Sequence, residues 1–406
     1  MEWNQKKTNL NMLTTKKYKF GSYDLAMALI FALPIYIVGF LGSSAFVQSI
    51  AYLPYVLGLV LIYVKNKKIT LNKAYITLYF IFVVLWILPN IYNLMMRTLE
   101  SEFFNPYVMI YHVLMLTIVF LFLSQWSLAL TKNSWSQFAK YLFTLLTPFI
   151  LILSVKIGID FFTIEKKIPW AFTYRHLDTE FYLIFLFFSF FLNSKIFKGL
   201  TYILCLSMIT MMSVRAGVIC VFIFLIIAYL DALKKMITAN KRNTTYFVAL
   251  LFMVILFTHD QLYIWLNEIF LFDSKGRGLE SGISSRVNIW ISAIDSIRQY
   301  PFSGIGYYVR LNPHFDPLNP NLHIHNFFLR IGAENGVFLM IFILLSLMFV
   351  GFKLIKKRLH WELAVFISIL FYYFFIPRHI QLNSLSIILY FIVIRSFQSG
   401  NIKSSQ

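Results

Sequence analysis

The residues best suited to chemistry are two histidines and a scatter of arginines at the ends of apolar runs. His323-Ile324-His325-Asn326 stands at the head of one such run and leads into Ala333-Glu334-Asn335-Gly336. An imidazole is the natural proton acceptor near neutral pH, so His325 or His323 suits a base that activates a hydroxyl. Two other readings stay open for the pair: structural histidines, or a metal site that adds His314. No acidic ligand at a fixed spacing completes a metal set. The arginines are Arg175 (beside His176, before Asp178 and Glu180), Arg215 after Ser213, Arg286 one turn before Trp290, and Arg378 (beside His379, after Pro377). A guanidinium pairs bidentately with phosphate or carboxylate. Together they describe a ring of cations with one or two histidines, a fit for a diphosphate in a partly dehydrated cleft. The alternative for each arginine is interfacial anchoring, or pairing with an acid such as Asp178 or Glu180.

The elements that must position these groups are membrane helices. Of the 406 residues, 59% are hydrophobic and only 13% charged, against about 45–50% and ~25% in soluble domains; the mean hydropathy is +0.72. Twelve runs read as spans, at about 24–44, 48–64, 74–95, 107–125, 138–157, 177–192, 199–213, 215–231, 244–258, 326–352, 361–377 and 381–398. About 20 apolar residues cross a bilayer core. The first run reads as the first span, not as a cleaved signal. Cys205 and Cys220 fall inside apolar runs and read as small core residues.

Charge placement orients the chain. Short loops rich in Lys, such as Lys65 to Lys73, Lys195 and Lys198, Lys234 to Arg242, and Lys353 to Arg358, alternate with loops that have few. The positive-inside rule then puts both termini in the cytoplasm, which an even number of spans allows. By this topology the inner side holds 20 Lys and 3 Arg, and the outer side 4 Lys and 9 Arg. The +19 formal charge is thus an orientation signal rather than a nucleic-acid surface. Arginine outside needs a further cause, such as an anionic ligand.

Residues 259–325 form one long outer loop between about nine helices (1–258) and about three (326–406). Within it, Ser284–Tyr300 carries apolar residues at 287, 290, 294 and 297, which is helical spacing. Ser284 or Ser285 can cap the start. Pro301 ends the helix, and Gly304 and Gly306 turn the chain. This amphipathic helix is expected on the outer interface or over a cavity. Arg286 falls on its apolar side, facing a site or snorkelling.

The chain has no P-loop, no acidic cluster for a divalent metal and no nucleophile elbow. A reaction outside the cytoplasm without ATP needs an activated donor, and a lipid-linked diphosphate sugar is one.

The ordered series Ser213-Val214-Arg215-Ala216-Gly217, Arg286 to Trp290, Pro301-Phe302-Ser303-Gly304-Ile305-Gly306, and His325-Asn326 to Glu334-Asn335-Gly336 resembles the O-antigen ligase/polymerase superfamily of bacterial envelopes, the WaaL ligases and Wzy polymerases. The likeness covers roughly 170–350 by motif and is closer to the ligase. It implies an all-α integral membrane fold of about 12 transmembrane helices, GT-C-like, with one larger periplasmic loop. It implies a metal-independent, inverting glycosyltransferase of the inner membrane, without cofactor. The donor would be an undecaprenyl-diphosphate-linked glycan, and the acceptor lipid A-core for a ligase or the next lipid-linked repeat unit for a polymerase. By the same likeness His325 is the base, Arg215 and Arg286 bind the diphosphate, and Arg175 and Arg378 assist. His323, Asn326 and Glu334 support them. A lipid-linked glycan flippase is the reading from a different class; it predicts repeat-related halves and midplane charges, whereas these cations cluster at span mouths.

Overall fold

The computed structural model describes residues 21–41, 45–66, 73–96, 106–129, 132–163, 175–239, 253, 279–306, 324, 326–375 and 384–397. Among these residues there are fourteen helices: α1 Gly21–Leu41, α2 Ala45–Asn66, α3 Lys73–Met96, α4 Pro106–Ala129, α5 Lys132–Thr163, α6 Arg175–Ser189, α7 Lys195–Met211, α8 Arg215–Ala228, α9 Leu230–Ala239, α10 Leu279–Gln299, α11 Phe327–Asn335, α12 Val337–Lys356, α13 His360–Phe375 and α14 Ser384–Phe397. His323, His325, Arg378 and nearly all of the run at 244–258 lie outside the described residues.

Apolar runs of this length must become helices, because lipid offers no partner for an open backbone amide. Among the described residues, six helices are long and apolar enough to cross a membrane, within α1, α2, α3, α4, α5 and α12. Within α8, α13 and α14, shorter apolar helices of 10–17 residues join them. The outward faces are apolar too: Leu25, Leu29 and Leu33 recur one turn apart on α1 and are all exposed. Water would penalise such a stripe; acyl chains do not.

The run at 177–192 is the centre of the bundle. Every residue of α6 from Leu177 to Ser189 is buried, and α5, α7, α8 and α14 all pack against it. At 15 residues and 1.5 Å each, α6 reaches about 22 Å. A helix enclosed by other helices need not match the bilayer thickness.

The run at 326–352, read above as one span, is two helices. Gly336 at φ +86° ends α11. Val337 N donates to Pro301 O at 2.7 Å, not back into α11, while Ala333 O accepts from Ile305 N at 2.8 Å. The helical ladder is therefore interrupted by a neighbouring turn.

Contacts sort the bundle into two ends. At one end, Trp361 Nε1 donates to Phe187 O at 2.8 Å and Lys357 Nζ to Ser396 O at 2.8 Å. His360 meets Asp231 at 3.1 Å, and Arg395 meets Glu362 at 3.1 Å with its guanidinium 5.0 Å from the Trp135 ring. At the other end, Tyr372 Oη donates to His176 O at 2.7 Å, and the Tyr373 hydroxyl lies 2.9 Å from Ser386 Oγ. The second end holds the candidate site.

Candidate functional site

The helix α11 is the hub. Asn326 is its N-cap: Oδ1 accepts from Phe328 N at 3.0 Å and Leu329 N at 3.1 Å. That satisfies two of the amides every helix start leaves open, and it explains an asparagine at this position. The neighbouring His325 lies outside the described residues. One turn in, Arg330 Nε donates to Glu334 Oε1 at 2.8 Å, with side chains 9% and 2% exposed. Glu334 therefore neutralises an arginine of its own helix. Arg298 pairs likewise with Asp295 at 3.4 Å, on the surface. Both arginines are thus paired with an acid of their own helix.

The C-terminal end of α11 is closed by the turn 301–306. Ile305 N and Gly306 N donate to Ala333 O and Glu334 O at 2.8 and 3.0 Å, taking up carbonyls that the helix end leaves open. The fit requires two glycines. Gly304, at φ +61°, would carry a Cβ 2.5 Å from Asn335 N, and Gly336 one 2.3 Å from Phe302 O. The Ser-Gly-Ile-Gly and Glu-Asn-Gly motifs are two halves of one backbone interlock.

The amphipathic helix α10 covers α11. It starts at Leu279, so Ser284 and Ser285 are interior residues and not caps. The buried face is also rotated from the expected one. Ala293 and Ser296 are buried and Ile289, Trp290 and Ile297 pack inward with Ile305, Ile324 and Ala333, while Ile294 is exposed. Contact with α11 chose this face: Gly332 approaches Ile297 so closely that a Cβ would sit 2.8 Å from its Cδ1. Helical register puts position 286 on the same face as Ile289, Trp290 and Ala293. Only the backbone is described for Arg286, and likewise for Arg175, the first residue of α6.

Arg215 opens α8 and is half-buried. A tight hairpin delivers it: Ser213 N donates to Thr210 O at 2.8 Å, and Ser213 takes a left-handed φ of 53°. A cation at a helix N-terminus opposes the dipole. A Cβ at Gly217 would sit 2.6 Å from Thr179 Cγ2 of α6, the residue before Glu180.

Arg215 and Asn326 share one end of the bundle. On the antiparallel pair α8 and α13, Cys220 Sγ donates to Ser368 O at 3.2 Å and Ser368 Oγ returns a bond to Cys220 O at 3.3 Å. Arg215 lies five residues before Cys220 and Tyr373 five after Ser368, about 7.5 Å each way along the axes, so the two are level. The Tyr373 ring in turn lies 5.7 Å from that of Phe327, the residue after Asn326.

The segment holding this interlock is one that known proteins share. Residues 200–344 match the O-antigen ligase family model. Over these residues the chain is similar to the O-antigen ligase/polymerase superfamily. A domain of this family implies glycosyltransferase-type chemistry on a lipid-linked glycan in a multi-pass membrane protein. No curated protein matches the chain. The matched segment covers most of α7, α8 to α11 and the start of α12, so it includes Arg215, Asn326 and Glu334.

Two residues outside the domain join the site. Asn90 and Asn93 of α3 are both buried and bond to the interlock. No motif marks them; their sequence signal is two amides in an apolar run beside Pro89. A cavity of about 170 Å³ also opens between α3, α4, α12 and α14, with Phe327 in its wall.

Proposed function

We propose that the chain is an O-antigen ligase-like glycosyltransferase of the bacterial inner membrane. It moves a glycan from undecaprenyl diphosphate to a hydroxyl of lipid A-core on the periplasmic side. The observation that carries this reading is the matched domain with Arg215 and Asn326 at one end of the bundle. In the proposed reaction His325 takes the proton of the acceptor hydroxyl. The oxygen attacks the anomeric carbon from the face opposite the leaving group. The bond to the diphosphate oxygen breaks, and undecaprenyl diphosphate departs with the electron pair. Arg215 and Arg286, assisted by Arg175 and Arg378, stabilise the charge that develops there. No metal is required, because the guanidinium groups supply the electrophilic stabilisation. Asn326 sets the start of α11 beside His325, Glu334 holds Arg330, and His323 supports the base.

The apolar cavity beside Phe327 supports a lipid-linked donor. Its lining is hydrocarbon from Leu78 to Phe397 with few polar groups, so it suits a tail rather than water.

His325→Ala, with lipopolysaccharide resolved on a gel, tests this reading. Loss of O-antigen with accumulation of lipid-linked polymer is the ligase outcome. A single repeat unit on core makes the protein a polymerase, the second reading the shared domain allows. An unchanged ladder overturns the catalytic reading.

A further inference from the structure

We infer that Asn90 and Asn93, in the first half of the chain, are positioning residues for the reaction at the head of α11. This rests on the proposed function above.

The side chains occupy successive turns of α3, and both are buried, at 0% and 4% exposure. Asn90 Nδ2 donates to Asn335 Oδ1 at 2.9 Å and to Trp86 O at 2.7 Å. Asn335 Nδ2 passes the contact to Ile331 O at 3.4 Å. Asn93 Nδ2 donates to Ser303 O at 2.9 Å and Gly304 O at 3.4 Å. Main-chain carbonyls only accept, so Nδ2 of Asn93 must face them and the amide has one orientation. Each asparagine thus holds one half of the interlock: Asn93 the turn 301–306, Asn90 the end of α11.

Stability alone is a poor reason for this arrangement. Apolar residues at positions 90 and 335 together would fill the same space with no amide to satisfy, and Asn93 Oδ1 has no hydrogen-bond partner among the described residues; buried amides are expensive unless satisfied. A chain of directional bonds fixes rotation and axial position, which apolar packing does not. α11 is nine residues long, about 13 Å, capped at one end and interlocked at the other. It moves as a rod, so a shift at Asn335 is delivered to Asn326 and the residue before it. A misplacement of about 1 Å at reacting groups costs on the order of 100-fold in rate. The O-antigen ligase domain is therefore completed by α3, which lies outside it.

The test uses the full chain in lipid nanodiscs, with undecaprenyl-diphosphate-linked glycan as donor and lipid A-core as acceptor, both extracted from the producing cells. Release of undecaprenyl diphosphate is the readout, since ligase and polymerase share it. Asn90→Leu and Asn93→Leu are expected to lower kcat tenfold or more, with donor KM within twofold. Asn90→Leu/Asn335→Leu is expected to be no slower than Asn335→Leu alone, because the two residues act as one contact. Multiplicative losses overturn the inference, as does a kcat per folded molecule that does not change. Where a leucine variant fails to fold, Asn93→Ser, which keeps a donor, is compared with Asn93→Ala: a faster Ser variant supports the inference and equal rates overturn it. His325→Ala separates the two readings. If it is inactive while the asparagine variants are normal, only this inference fails; if it is fully active, the proposed reaction fails.

Discussion

Arg330 and Glu334 form a 2.8 Å ion pair one turn apart on α11, almost wholly shut away from solvent. Breaking such a pair strands a charge, whereas replacing both partners with apolar groups removes the need for one. Arg330→Met is expected to destabilise the protein by about 3–5 kcal/mol, and Arg330→Met/Glu334→Met by much less. Unfolding midpoints of the two variants in one detergent check this. Equal losses would show that the pair is held by something other than its mutual charge.

The interlock makes a steric prediction. Gly304→Ala and Gly336→Ala each drive a Cβ into backbone, at 2.5 and 2.3 Å, from a positive φ. Neither is expected to give monodisperse protein by size exclusion. Gly158→Ala in α5 is the control, because nothing lies within 4 Å of its Cβ. A helical Gly to Ala change is worth roughly 0.5–1 kcal/mol in favour of the helix, so this variant is expected to match or exceed the parent.

The Arg395–Glu362 pair lies at the end of the bundle away from Arg215 and Asn326, joining α13 and α14 over Trp135. Glu362→Ala is expected to lower the unfolding midpoint and leave glycan transfer per folded molecule unchanged. A fall in kcat without loss of stability would instead link the two ends.

Ser346 lines the apolar cavity, and Ser346→Phe fills part of it. Donor KM is expected to rise about tenfold, roughly 1.4 kcal/mol of binding, with little change for a donor carrying a short isoprenoid tail. Equal effects on both donors would place the tail elsewhere. Titration of donors with two tail lengths makes the comparison.

Part of this site is legible in the sequence. Pro301 stops α10, Gly304 and Gly306 turn the chain, and Asn326 begins the next helix, all from local chemistry that a short stretch of residues carries. The face of α10 is not legible. Ile294 and Ala293 both suit an apolar stripe, and only the close approach of Gly332 to Ile297 decides that Ala293 turns inward. The break at Gly336 is equally hidden, because a glycine in an apolar run reads as helix until Pro301 takes the amide that follows it.

The sequence by itself determined that the chain is a bundle of membrane helices. Long apolar runs have no other way to satisfy their amides in lipid, and the ordered Arg, Gly and His-Asn motifs mark the domain that resembles the O-antigen ligase/polymerase superfamily. Tertiary structure alone decided what holds that domain in register: α6 at the centre, Arg330 spent on Glu334, and two amides of α3 bonded to residues more than two hundred positions away. Helical periodicity records only which neighbours share a face. It carries no information about which distant carbonyl an asparagine will meet, because packing of the whole bundle sets that contact.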